Sequence, residues 1–92
     1  MIRFEWSEHK RAQHLARYGL DFADAPRVFD GPTFTFEDDR FDCSEQRFVT
    51  LGMLDSIVLS IVHTETPRII RIIPIRKATT REQATCFAQI RD

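Results

Sequence analysis

The sequence predicts an α+β fold, an antiparallel β-sheet with helices packed on one face, in the order β-α-α-β-β-β-β-α. Three observations predict it: apolar side chains at helical spacing over residues 8–29, four strand-like runs between residues 33 and 75, and a capping box, Thr79-x-x-Glu82, that opens one more helix. The 92 residues leave room for a single domain, residues 1–92, around one core. A composition of 42% hydrophobic and 29% charged residues excludes a disordered tail, a collagen-like repeat and a coiled coil.

Each element has a local reason. Ile2-Arg3-Phe4-Glu5-Trp6 alternates apolar and charged residues, the period of a short half-buried strand. Ser7 is a good N-cap, and Glu8 follows where the helix dipole favours negative charge. Ala12, Leu15, Ala16 and Tyr18 give residues 8–18 a modest apolar stripe, and Gly19 suits a left-handed C-terminal cap. Asp21 caps a second short helix, with Asp24 in its first turn and Phe22, Ala25, Val28 and Phe29 on its buried face. Pro26 is awkward there because it removes a hydrogen bond to Phe22; Gly31-Pro32 ends the helix. Strands follow at Thr33–Asp38, Arg47–Met53, Ile57–Glu65 and Arg68–Ile75, separated by an acidic loop over 37–45 and turns at Asp55-Ser56 and Thr66-Pro67. Near-continuous apolar runs place the last two strands centrally in the sheet. Ala84, Phe87, Ala88 and Ile90 form the apolar side of the closing helix. Trp6, Phe34 and Phe36 are expected in the core, and His9 and His14 on the exposed side of the first helix.

The formal charge of −1 hides a split: +2 over residues 1–20, −7 over 21–67 and +4 over 68–92. A fold that joins the two ends makes a positive surface, which binds nucleic acid in a salt-dependent way. No apolar run approaches the about 20 residues that span a bilayer, and no secretory signal is visible, so a cytoplasmic chain with no membrane partner is expected. Cys43 and Cys86 form no CxxC pair; reduced thiols are the default, although an even count leaves a disulfide open. His9, His14 and His63 lack zinc-site spacing, and Asp38, Asp39, Asp42 and Glu45 lack the spacing and glycine of a calcium loop, so no metal or other cofactor is expected.

Several segments together resemble a known family. They are Phe4-Glu5-Trp6; Tyr18-Gly19-Leu20-Asp21-Phe22 with Val28-Phe29-Asp30 and Pro32; Glu45-Gln46-Arg47 with Gly52; Val62-His63-Thr64-Glu65; and Arg71-Ile72-Ile73-Pro74-Ile75-Arg76-Lys77-Ala78-Thr79. In order and spacing the chain resembles the BrnT toxins of bacterial type II toxin–antitoxin pairs. It departs from them at Trp6-Ser7, where the family usually has Trp-Asp, at Arg17-Tyr18-Gly19, where it often has Lys-His-Gly, and at Pro74-Ile75, where it usually has Ser-Ala. The resemblance implies a RelE-like ribonuclease fold, metal-independent cleavage of RNA and inhibition of translation. It implies neutralisation by a cognate ribbon-helix-helix antitoxin (BrnA-like), operator DNA reached only through that antitoxin, and an assembly such as a dimer of heterodimers.

Such chemistry needs a base for the ribose 2′-proton, cations on the developing phosphorane charge and an acid for the departing 5′-oxygen. The catalytic candidates are Arg71, Arg76, Glu65 and His63; the RNA-binding candidates are Arg47, Arg68, Lys77 and Arg81. If Thr66-Pro67 is a tight hairpin turn, Glu65 pairs with Arg68 and His63 with Ile70, and Arg71 points to the face opposite His63 and Glu65. Pro74 cannot donate to a ladder, so it marks a bulge or an edge that resets the parity before Arg76. The Arg71 face, with Ser60 and Thr64, is then the RNA-facing one. Each candidate also has a plainer reading: a surface ion pair for Glu65 and Arg68, a structural imidazole for His63, and solvation of the last helix for Arg76-Lys77. The competing function is a catalytically inactive interaction module or co-repressor subunit of a DNA-binding antitoxin. Growth on induced expression separates the two.

Overall fold

The computed structural model describes residues 2–38 and 46–90. Most of the expected acidic loop, with Asp39, Asp42 and Glu45, and the thiol of Cys43 lie outside the described residues. The elements are β1 (Arg3–Glu5), α1 (Glu8–Tyr18), a 3-10 turn (Phe22–Asp24), α2 (Ala25–Asp30), β2 (Thr33–Asp38), β3 (Arg47–Leu54), β4 (Ile57–Glu65), β5 (Ile69–Lys77) and α3 (Thr80–Ile90).

The caps act as their residue types dictate. The Ser7 hydroxyl accepts from the Lys10 amide at 3.3 Å, and Gly19, at φ 70°, donates its amide to the Leu15 carbonyl at 2.9 Å. Pro26 causes no break. The chain turns as a 3-10 helix through Phe22–Asp24 and starts α2 at Ala25, so Pro26 sits in the first turn, where no amide donor is needed. The capping box closes as expected, with Thr79 Oγ1 accepting from the Glu82 amide at 3.1 Å and Glu82 accepting from the Thr79 amide at 2.9 Å.

The sheet has the order β1-β5-β4-β3-β2. The strands from β2 to β5 run antiparallel to their neighbours, but β1 pairs parallel with β5, Arg3 with Ile69 and Glu5 with Arg71, so the sheet is mixed and not purely antiparallel. The cause is topological. The chain enters beside the strand that it completes last, and β1 adds to the edge that the β2–β5 meander leaves open. β4 and β5 are interior strands, as their apolar runs require.

A second correction follows from the same runs. The helices do not share one face. Phe22, Ala25 and Val28 pack with Leu59, Ile61, Ile70, Ile72 and Ile75 on one side of the sheet. Ala78 and Cys86 pack with Val49, Leu51 and Val58 on the other. A central strand that is apolar at successive positions must be covered twice, and α3 covers the second face. Gly52 belongs to the first face: a Cβ there would stand 2.7 Å from Val28 Cγ1, so glycine lets α2 approach β3.

Two helix faces differ from the expected ones. α1 buries no residue fully; its half-buried positions are Arg11 and His14, while Ala12, Leu15 and Ala16 are exposed. α3 presents Cys86 inward, with Ile90 half-buried, and leaves Ala84, Phe87 and Ala88 in solvent. Phe34 packs against the α3-side core, whereas Phe36 is largely exposed. Among the described residues, no helix is long and apolar enough to cross a membrane.

Candidate nucleic-acid interface

The β4–β5 hairpin controls which cations share a face. Thr66 moves the turn one residue beyond the expected place: its amide donates to the Ile69 carbonyl at 2.8 Å, and its hydroxyl accepts from the Ile69 amide at 3.1 Å. Glu65 therefore pairs with Ile70 and His63 with Ile72, two residues further than a Thr66-Pro67 turn gives. A shift of two preserves facing, so Arg71, opposite Thr64, still points away from His63 and Glu65.

The ladder then slips. His63 pairs with Ile72 but Ile61 with Ile75, so Ile73 and Pro74 together oppose Val62. This is the bulge that a proline without an N–H donor suggests. The extra residue returns Arg76 to the face of Ser60, its partner, and hence to the face of Thr64 and Arg71. Arg47 reaches the same face from β3, because it alternates with Phe48, the partner of His63.

The cations differ in their restraints. Arg71 is exposed and makes no side-chain hydrogen bond or ion pair among the described residues. Arg76 forks onto Glu82, Nη1 to Oε1 at 2.8 Å and Nη2 to Oε2 at 2.9 Å, and Nη1 also donates to the Lys77 carbonyl at 3.2 Å. The bond from Arg76 holds the Glu82 carboxyl below its ordinary range. The capping-box glutamate thus orients an exposed guanidinium as well as starting α3. Lys77 pairs with Leu59 and is exposed at the end of β5. Arg68 sits in the exposed turn at the opposite end of β5, roughly 25 Å away along the strand. Arg81 lies in the exposed first turn of α3.

His63 and Glu65 are set apart from this face. His63 is fully buried. Its Nε2 is 2.7 Å from Thr50 Oγ1, its ring meets Phe29 edge-on at 5.2 Å and stacks on Phe48 at 6.0 Å, and its Nδ1 is 3.7 Å from the exposed Glu65 carboxylate. Burial pushes the His63 pKa down, with Glu65 opposing. As the pH falls below about 6.5, the unfolded chain takes up this proton before the folded one does. The stability from neutral His63 is therefore complete above the unfolded pKa and lost as pH falls through the window down to the depressed folded pKa. Denaturant midpoints should fall on acidification, and less steeply in His63→Leu.

The structure adds residues that the sequence reading left aside. β1 stops at Glu5, so the second half of β5 has an open edge, and α1 lies along it. His14, expected to be exposed, is half-buried; a carbonyl can only accept, so its Nε2 donates to the Ile75 carbonyl. The His14 ring lies 4.7 Å from Tyr18 and 5.1 Å from Phe22, and the Arg17 guanidinium lies 5.7 Å from the centre of the Tyr18 ring. Between α1 and β5 opens a cleft of about 700 Å³, walled by His14, Arg17, Tyr18, Pro74, Arg76 and Lys77. The signal available in the sequence was the four-residue spacing of His14 and Tyr18, which puts both on one helical face.

The arrangement suits an anionic, flexible chain: guanidinium and ammonium groups along one strand, and an exposed aromatic ring at a cleft that adjoins them. Comparison with curated proteins gives no match. Residues 6–82 match the family model described as the ribonuclease toxin, BrnT, of type II toxin–antitoxin systems, and with most of its length so matched the chain belongs to the BrnT family of ribonuclease toxins.

Proposed function

We propose that the chain is a metal-independent endoribonuclease that arrests translation in the cytoplasm by cutting RNA on the Arg71–Arg76 face of a RelE-like sheet. The observation that carries this reading is the bulge at Ile73-Pro74, which turns two arginines five positions apart onto one face. Arg71 is free to meet a phosphate, Arg76 is held in orientation by Glu82, and Lys77 and Arg47 extend the positive field. Charge develops on the phosphoryl oxygens as the 2′-oxygen attacks, and fixed guanidinium groups stabilise that charge without reorganising. Arg68, at the far end of β5, contributes to long-range attraction only, whereas Arg81, in the first turn of α3 beside Glu82, adds to the positive field near Arg76.

The family's antitoxin partner takes the form, in this proposal, of a BrnA-like ribbon-helix-helix protein that covers the cationic face and carries all contacts to operator DNA, in a dimer of heterodimers. The test uses purified chain and single-stranded RNA in excess chelator. We expect cleavage that persists without divalent cations, and growth arrest on induced expression that co-expression of the neighbouring antitoxin gene relieves. Unimpaired growth with folded product would favour a co-repressor module instead. Cleavage that stops with chelator and returns with a divalent cation would contradict metal independence.

A further inference from the structure

We propose that His14 accepts the ribose 2′-proton, with the α1–β5 cleft as the seat of the nucleotide that is cut; the inference rests on the ribonuclease reading above. On the cationic face neither His63 nor Glu65 is available, since His63 is sealed in the core and Glu65 lies on the other side of the sheet, and the described carboxylates beside the two arginines are engaged, Glu5 with Arg3 and Glu82 with Arg76. The cleft adjoins that face through Arg76 and supplies a base.

Three observations converge on His14. Its Nε2–H is committed to the Ile75 carbonyl, which fixes the tautomer; in the neutral ring, Nδ1 then carries the lone pair. A base whose second nitrogen is oriented by a fixed acceptor is the arrangement general-base catalysis requires. Next to it, Tyr18 is 59% exposed, and its ring is within stacking distance of His14 and of the Arg17 guanidinium. An exposed ring of this kind takes a splayed-out base of single-stranded RNA. Finally, the charged and titratable groups that wall His14 are Lys10, Arg17 and Tyr18 from α1 and Arg76 and Lys77 from β5. Among the described residues no carboxylate lines either side of the cleft, which suits a phosphodiester.

The step balances without an added reactant. The 2′-hydroxyl proton passes to His14 Nδ1, and the 2′-oxygen forms a bond to phosphorus. The phosphorus–5′-oxygen bond breaks, and the 5′-oxygen takes a proton from water in the open cleft. The hydroxide left behind recovers the proton from the imidazolium. The products are a 2′,3′-cyclic phosphate and a 5′-hydroxyl end.

The experiment compares wild type, His14→Gln, Tyr18→Ala and a helix control, His9→Gln, on single-stranded RNA across pH. Glutamine keeps an N–H for the Ile75 carbonyl but cannot take up a proton. His14→Gln is expected to cut about 10²–10⁴-fold more slowly, to lose the acid limb of the pH–rate profile, and to bind uncleavable 2′-O-methyl RNA as wild type does. Tyr18→Ala, at an exposed position, is expected to weaken that binding roughly 5- to 100-fold. His9→Gln should match wild type. Wild-type rate or an intact acid limb in His14→Gln overturns the assignment of the base. Unchanged RNA affinity in Tyr18→Ala overturns the cleft as the nucleotide seat, whether or not the His14 variant folds. A wild-type chain that cuts no RNA overturns the ribonuclease reading itself, a result distinct from either.

Discussion

Arg71→Ala is expected to slow RNA cleavage about 10²–10³-fold, the usual cost of removing one group that stabilises transition-state charge. Its folding stability should stay within about 0.5 kcal/mol of wild type, because the exposed guanidinium holds nothing together among the described residues. The pairing of those two results is what matters. An arginine inside a β-strand with Ile70 and Ile72 on either side would be a costly choice for packing, and the structure shows that packing is not its use. Arg76→Ala is a contrasting case. It removes the second cation of the proposed site and also the fork that orients Glu82, so it should lose activity and some of the α3 cap together. Arg71→Lys keeps the charge but loses the planar fork, and a partial loss of rate is expected. The checks are single-turnover cleavage and a thermal melt on the same preparations.

His63→Ala is the second large effect, and its sign is the reverse. Truncating a fully buried ring that bridges Thr50, Phe29 and Phe48 should cost about 3 kcal/mol of stability. It leaves a hole in the α2-side layer and removes one of the two partners of the Thr50 hydroxyl, which keeps its bond to Thr35 Oγ1. Cleavage per folded molecule should stay near that of wild type, since the imidazole has no path to the Arg71 face. A stable His63→Ala protein that had lost cleavage would return His63 to the chemistry. Urea titration together with activity normalised to the folded fraction distinguishes the outcomes.

These two residues show how far the sequence carries. The alternation along β4 and β5 was enough to put Arg71 and His63 on opposite faces, because the side-chain period of a strand is two and survives a register error of two. The register itself was not legible: it depended on the Thr66 hydroxyl capturing the Ile69 amide, a local hydrogen bond that competes with the simpler turn. The bulge was legible as a consequence of Pro74, since a residue without an N–H cannot serve a central ladder. Pro26 was less transparent, because the break into a 3-10 turn and a fresh helix is a cooperative choice of the segment.

The largest miss was α1. Its inward face follows Arg11 and His14 instead of Ala12, Leu15 and Ala16, since the helix lies on an open strand edge and not on a core layer. An edge rewards hydrogen-bond donors, and hydrophobic periodicity cannot report that. The parallel pairing of β1 escaped for a related reason. A three-residue strand carries no sign of its direction, and only the position of β5's free edge decides it. The two-sided sheet could have been read from the run Val58 to Val62, in which apolar residues occupy both parities and so call for cover on both faces.

The proposed function lays RNA along β5, across Arg71 and Arg76. It is tested most directly by the salt dependence of binding to uncleavable 2′-O-methyl RNA, in wild type and in Arg71→Ala/Arg76→Ala. Each phosphate contact contributes roughly 0.7 to the slope of log affinity against log salt for a single strand. The double variant should bind more weakly at low salt, with a slope shallower by about 1.4. An unchanged slope in a folded double variant would place the RNA elsewhere on the molecule and contradict the account.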